Sequence, residues 1–110
     1  MTRRPQSRPV TLDGCPGTGW LRVRQNLGAL TFEGEARIDM SDTGDLSNEF
    51  EGTATYNGPI VDYNGRVSRV RAADVEITRK ERRGRHLVIT LAGDASGIQY
   101  RLPERREIHP

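Results

Sequence analysis

Apolar or small residues take every second position from 30 to 40 (Leu30, Phe32, Gly34, Ala36, Ile38 and Met40), with Thr, Glu, Arg and Asp between them. Successive side chains of a strand point to opposite faces, so alternation of this length predicts a strand with one buried face. The phrase then returns. FEGEARI at 32–38 is echoed by FEGTATY at 50–56, and the second copy carries Leu46, Phe50, Gly52, Ala54 and Tyr56 in its apolar or small row. The turn cluster SDTGD at 41–45 lies between the copies. Folding back there sets Met40 against Leu46, Phe32 against Ala54, Gly34 against Gly52 and Ala36 against Phe50. Large residues then meet small ones, as a close-packed interior requires. In that register Gly52→Val overpacks the interior at a cost of about 1–3 kcal/mol.

Asn-Gly stands at 57–58 and again at 64–65, the dipeptide that most favours a tight hairpin. The first turn would bring Val61 against Ala54 and Tyr63 against Gly52, and the second would bring Val61 against Ser68. Beyond Val70 the apolar row changes parity to Ala73, Val75 and Ile77, which predicts a bulge at Arg71 or Ala72. KERRG at 80–84 reads as another turn, so that Ile77, Val75 and Ala73 meet Leu87, Ile89 and Leu91. GDAS at 93–96 leads into a strand with Ile98, Tyr100 and Leu102. Upstream, WLRVR at 20–24 is a strand ending in the turn QNLG, and VTL at 10–12 reads as an edge strand.

No segment has helical periodicity. The expected fold is all-β: a small antiparallel up-and-down (meander) β-barrel of about eight strands, with a sandwich as the alternative. Glycine and alanine along the strands favour closure, because small residues let strands coil tightly. Residues 10–102 would form this single domain, with 1–9 and 103–110 as flexible tails.

Composition supports one lean core. Only 34% of the 110 residues are apolar and 29% are charged, so burial has to come from alternation and not from apolar runs. No stretch approaches the ~20 apolar residues of a membrane helix, and the N-terminal residues lack the apolar run of a secretory signal. A soluble cytoplasmic protein is expected, without membrane contact. Cys15 is the one cysteine, so no internal disulfide can form.

No cofactor or metal is expected. His86 and His109 are far apart, and neither H-x-x-x-H nor C-x-x-C occurs. Asp39, Ser41, Thr43 and Gly44 have calcium-loop spacing, yet Phe50 stands where the closing carboxylate belongs, so the segment reads as a solvated hairpin tip. Gly14, Gly17 and Gly19 match no phosphate-binding fingerprint, and Ser96 in GDASG is out of step with a nucleophile elbow.

Charge is uneven along the chain. Residues 1–30 hold five Arg and one Asp, residues 31–62 hold eight acids and Arg37, and residues 63–110 hold eleven Lys or Arg and six acids. An acidic middle between basic ends can steer a partner. The densest cluster is RKERRGR, with Arg79, Lys80, Arg82, Arg83 and Arg85 at a hairpin tip. It suits an anion or an acidic partner face, but it lacks the interleaved aromatics that stack on bases. In the repeat-hairpin register Glu35 lies opposite Glu51, a like-charge pair that an Arg-rich partner would relieve. The polar minority of the inward row is Asn48, Tyr56, Tyr63 and Tyr100, which would contact a ligand if they converged on a cavity.

Taken together, these features lead us to expect a non-catalytic binding or protein-interaction module that engages another protein or a second copy of itself. A small-ligand carrier using the barrel interior is the alternative. Nucleic-acid or polyanion binding by the 79–85 hairpin ranks third, and a barrel enzyme of the cyclase or isomerase type ranks last.

Overall fold

The computed structural model describes residues 5–95 and the backbone of 100–101. Each alternating run forms a strand: β1 (Arg8–Leu12), β2 (Cys15–Asn26), β3 (Ala29–Asp39), β4 (Thr53–Val61), β5 (Val67–Arg83) and β6 (His86–Asp94), followed by the two-residue β7 (Tyr100–Arg101). The fold is all-β, with six antiparallel strands and the short β7 in one sheet. Eight strands were expected. The number is lower because β4 runs through the turn expected at Asn57-Gly58 and so joins two of the expected strands into one, while residues 46–52 form no strand.

The repeat does not pair with itself. Instead β3 lies between β2 and β6, where Phe32 faces Val23 and Gly93, Gly34 faces Leu21 and Leu91, and Ala36 faces Gly19 and Ile89. Large against small still holds, with different partners. A Cβ on Gly93 would sit 2.3 Å from the tip of the Phe32 ring, and one on Gly34 would sit 2.1 Å from the Trp20 carbonyl oxygen. Close approach demands glycine at both positions. Gly52 faces open space with φ at 75°, so the overpacking expected there belongs to Gly34.

Phe50 and Gly52 lie in the connection between β3 and β4, which crosses one end of the sheet. Met40 and Phe50 plug that end, being 5% and 1% exposed. Backbone bonds from Met40 N–H to Arg85 O (2.7 Å) and from Ile77 N–H to Gly52 O (2.9 Å) hold the connection down. The topology is therefore a Greek key and not a meander: β4, β5 and β6 pair in succession, while β3 returns to lie beside β6.

Asn57-Gly58 makes no turn, because β4 runs through it and packs Gly58 against Val10. Asn57 instead faces the bulge at Arg71 and Ala72, between the pairs Tyr56–Ala73 and Gly58–Val70. The parity change thus has the cause expected of it. Ala72 has φ at 53°, and its N–H donates to Asn57 Oδ1 at 3.0 Å. At Asn64-Gly65 the chain does turn, but Val61 meets Val67 and Ser68 meets Ile60. The one-residue shift comes from Asp62, whose Oδ1 accepts the N–H groups of Asn64 and Arg66 and so shapes a longer loop. Between β5 and β6 the turn is Gly84-Arg85, later than expected, and Ile77 meets Leu91 while Arg82 meets Leu87.

β1 is not an edge strand, since it pairs with both β2 and β4. The pairings therefore run in a ring, β1–β2–β3–β6–β5–β4 and back to β1, with a short parallel contact of Leu21–Ile60 and Arg22–Val61 where β2 and β4 meet directly. Leu12, Leu21, Phe32, Ile38, Tyr56, Ile60, Val75, Leu87, Ile89 and Leu91 form one buried cluster. Backbone pairing places Tyr100 beside Val70 and Arg101 beside Arg69. The rest of the strand expected around Ile98 and Leu102, and the C-terminal tail, lie outside the described residues. Among the described residues no helix is long and apolar enough to cross a membrane.

Candidate binding cleft

Three of the four polar residues expected to share an interior cavity are placed apart. Tyr56 is wholly buried, and its hydroxyl donates to Pro59 O at 2.6 Å. Burial pushes its pKa up, so this phenol stays protonated and serves as a structural clip. Asn48 is exposed on the connection, and Tyr63 is 54% exposed in the β4–β5 turn. Neither belongs to a strand, so the parity rule that assigned them inward does not apply. The Tyr100 side chain lies outside the described residues.

The Arg-rich segment meets acids of its own chain. Arg82 Nη1 lies 3.1 Å from Asp45 Oδ2, Arg83 Nε lies 3.2 Å from Glu81 Oε2, and Arg79 reaches the same carboxylate at 4.0 Å. Lys80 Nζ donates to Ser47 O, and Arg85 is exposed in the turn. Glu81 is held below the usual carboxylate range chiefly by its hydrogen bond from Arg83. Glu35 sits on the outer face between Trp20 and Thr90, sharing a shallow groove with Arg37, Arg79, Glu81 and Arg83. Glu51 is exposed on the connection and does not face Glu35, because the hairpin that paired them does not form.

A hollow of about 670 Å³ lies at the opposite end of the sheet from the connection, beside the β2–β3 and β4–β5 turns. Its origin is topological. The direct contact of β2 with β4 stops at Arg22–Val61, where the Asp62 turn carries β4 away. Past that point β2 pairs with β3 on one side only, and among the described residues no strand covers Val23–Asn26 on the other. The cleft follows this open edge. β2 lines it with Trp20, Val23 and Arg24, the β4–β5 region with Pro59, Tyr63 and Val67, and the segment at and before β1 with Gln6 and Arg8.

Aromatic and cationic groups interleave on the outward row of β2. The Arg22 guanidinium stands 5.6 Å from the centre of the Trp20 ring. Arg22 Nη2 and Arg24 Nη1 both donate to Glu33 Oε2, at 2.7 and 3.2 Å. Those donors outweigh partial burial and hold Glu33 below the usual carboxylate range. Arg24 remains 54% exposed, and exposed Arg8 donates to the neutral amide oxygen of Gln6 at 3.2 Å.

The three large apolar side chains exposed among the described residues are Leu27 (100%), Tyr63 (54%) and Val67 (52%). Tyr63 and Val67 line the cleft, and Leu27 tips the β2–β3 turn just beyond Gln25, another lining residue. The Trp20-x-Arg22-x-Arg24 spacing was visible in the sequence as an outward aromatic-cation row. Its meeting with Tyr63 and Val67 depends on the β2–β4 contact, which no local pattern announces. No protein-family model, curated protein or solved structure matches this chain.

Proposed function

We propose that the protein is a small β-barrel binding module whose partner is another protein, engaged at the cleft beside the β2–β3 and β4–β5 turns. The ring of strand pairings supports the barrel, with the 40–52 connection plugging one end. One observation carries the binding reading: this hollow coincides with the exposed large apolar side chains of the described residues, Tyr63 and Val67 inside it and Leu27 at its margin. Such side chains grouped around a concavity gain by being covered. The buried cluster occupies the space between the strands, so a ligand reading also moves from the interior to this cleft. The Arg-rich hairpin is less favoured as the main contact, since Asp45 and Glu81 already meet three of its arginines.

Selection from a random peptide display library tests this reading. Binders of the wild-type chain are expected to lose the Tyr63→Asp/Val67→Asp variant, whose two changes fall on half-exposed side chains. A panel of selected binders that all hold the variant as tightly as the wild type would overturn it.

A further inference from the structure

Resting on that reading, we infer that the cleft takes an extended, acidic segment of the partner protein as an added strand along the open edge of β2. The first ground is backbone chemistry. A strand paired on one side presents alternate N–H and C=O groups on the other, and an incoming extended chain satisfies them. Val23, Arg24 and Gln25 line the cleft and, among the described residues, are paired on one side only. The edge is short, and β1 and β4 occupy the positions before it, so an added strand would be held at a defined register.

The second ground is charge. Arg8 and Arg24 border the cleft with exposed side chains: Arg8 donates to the neutral amide oxygen of Gln6, and Arg24, still 54% exposed, donates to Glu33. Asp62 is the cleft's own acid, and its Oδ1 is already engaged by the turn amides of Asn64 and Arg66. The cleft therefore favours carboxylates on the incoming chain. The third ground is alternation. An added strand would turn one row of side chains to the outward face, which Arg22, Arg24, Val61 and Val67 share, and the other to the inward face beside Val23, so the fitting sequence alternates acidic and apolar residues.

The test uses the full chain and a fluorescein-labelled, end-capped heptapeptide alternating Glu and Val, followed by anisotropy. Three companions complete the set: the Lys-Val counterpart, and two Glu-Val peptides N-methylated at either the odd or the even positions. The Glu-Val peptide is expected to bind, with the Lys-Val peptide weaker by about tenfold or more, and with Arg24→Glu reversing that preference. One N-methyl register should lose about tenfold or more while the other binds like the parent, since strand addition uses a single edge of the peptide. Equal binding of both N-methylated peptides, or of the Glu and Lys peptides, would overturn the inference. So would a dimer in the native mass spectrum that Arg24→Glu dissolves, because a second copy would then own the edge. If the Glu-Val peptide fails while display-selected ligands still require Tyr63 and Val67, this inference falls and the cleft reading stands. Loss of that requirement removes both.

Discussion

At the scale of single residues, two glycines with the same sequence context do opposite work. Gly34 sits in FEGEA and Gly52 in FEGTA, yet only Gly34 is pressed between strands, against the Trp20 carbonyl and the Leu21 side chain. Gly34→Ala should cost about 2–3 kcal/mol in urea denaturation, because neither the facing backbone nor Leu21 can move freely. Gly52→Ala should cost about 1 kcal/mol, from the left-handed backbone and not from crowding. Equal losses would contradict this placement of β3. Ser68 makes a second case: it is 7% exposed on the inward row of β5, and its hydroxyl has no hydrogen-bond partner among the described residues. Replacing a buried, unbonded hydroxyl removes a desolvation cost, so Ser68→Ala should hold or raise stability by up to about 1 kcal/mol. The sequence already set Ser68 on the buried row with Val70; the structure changes the residue it faces from Val61 to Ile60.

At the scale of elements, the β2–β3 hairpin carries a local conflict. Its turn is Leu27-Gly28 with both residues at positive φ (53° and 86°), a geometry that Asn-Gly fills readily and leucine fills at a cost. Leu27 is also fully exposed. A residue unfavourable both to the backbone and to water is the kind of departure from local consistency that accompanies a functional surface. Leu27→Asn should therefore raise the denaturation midpoint, by an amount equivalent to about 0.5–1 kcal/mol, and should weaken ligands selected on the cleft. The hairpin itself was legible, because Leu21, Val23, Leu30 and Phe32 alternate on either side of QNLG. Asn57-Gly58 was misleading for a related reason. Its turn propensity is real, but Gly58 is held by Val10 of β1 and Asn57 by the Ala72 amide, so tertiary contacts keep the dipeptide extended.

Across the whole molecule, the two ends differ in chemistry. One end is closed by the connection and the β5–β6 turn, where Arg82 and Lys80 are tied to Asp45 and Ser47. The other end holds the cleft and the exposed Leu27, Tyr63 and Val67. Hydrogen bonds hold four carboxylates below their ordinary values of 3.8 for Asp and 4.5 for Glu: Glu33 chiefly by Arg22, Asp39 by Ser41, Asp45 by Ser47 and Glu81 by Arg83. A depressed folded-state pKa contributes stability that is complete above the unfolded value and is lost as pH falls through the folded one. The melting temperature should therefore stay level from about pH 7 to 5 and decline toward pH 3. Three of these groups, Asp39, Asp45 and Glu81, lie at the solvent-facing surface, so the decline should be shallow and should shrink in high salt. A melting temperature that rises on acidification would contradict the assignment.

By itself the sequence determined that the chain is all-β, where most strands run, that the buried row shifts at Ala72, and that large residues must oppose small ones. Those properties are local or follow from the period-two alternation of side chains. Which strands pair was decided only in the tertiary structure, because Phe32 is equally well complemented by Ala54 in the expected hairpin and by Gly93 in the long-range β3–β6 pairing that forms. The cleft belongs to that second class. It exists because β2 and β4, distant in sequence, touch at two residue pairs and then part, leaving a β2 edge that no described strand covers, between Trp20 and Tyr63, which no short-range pattern encodes.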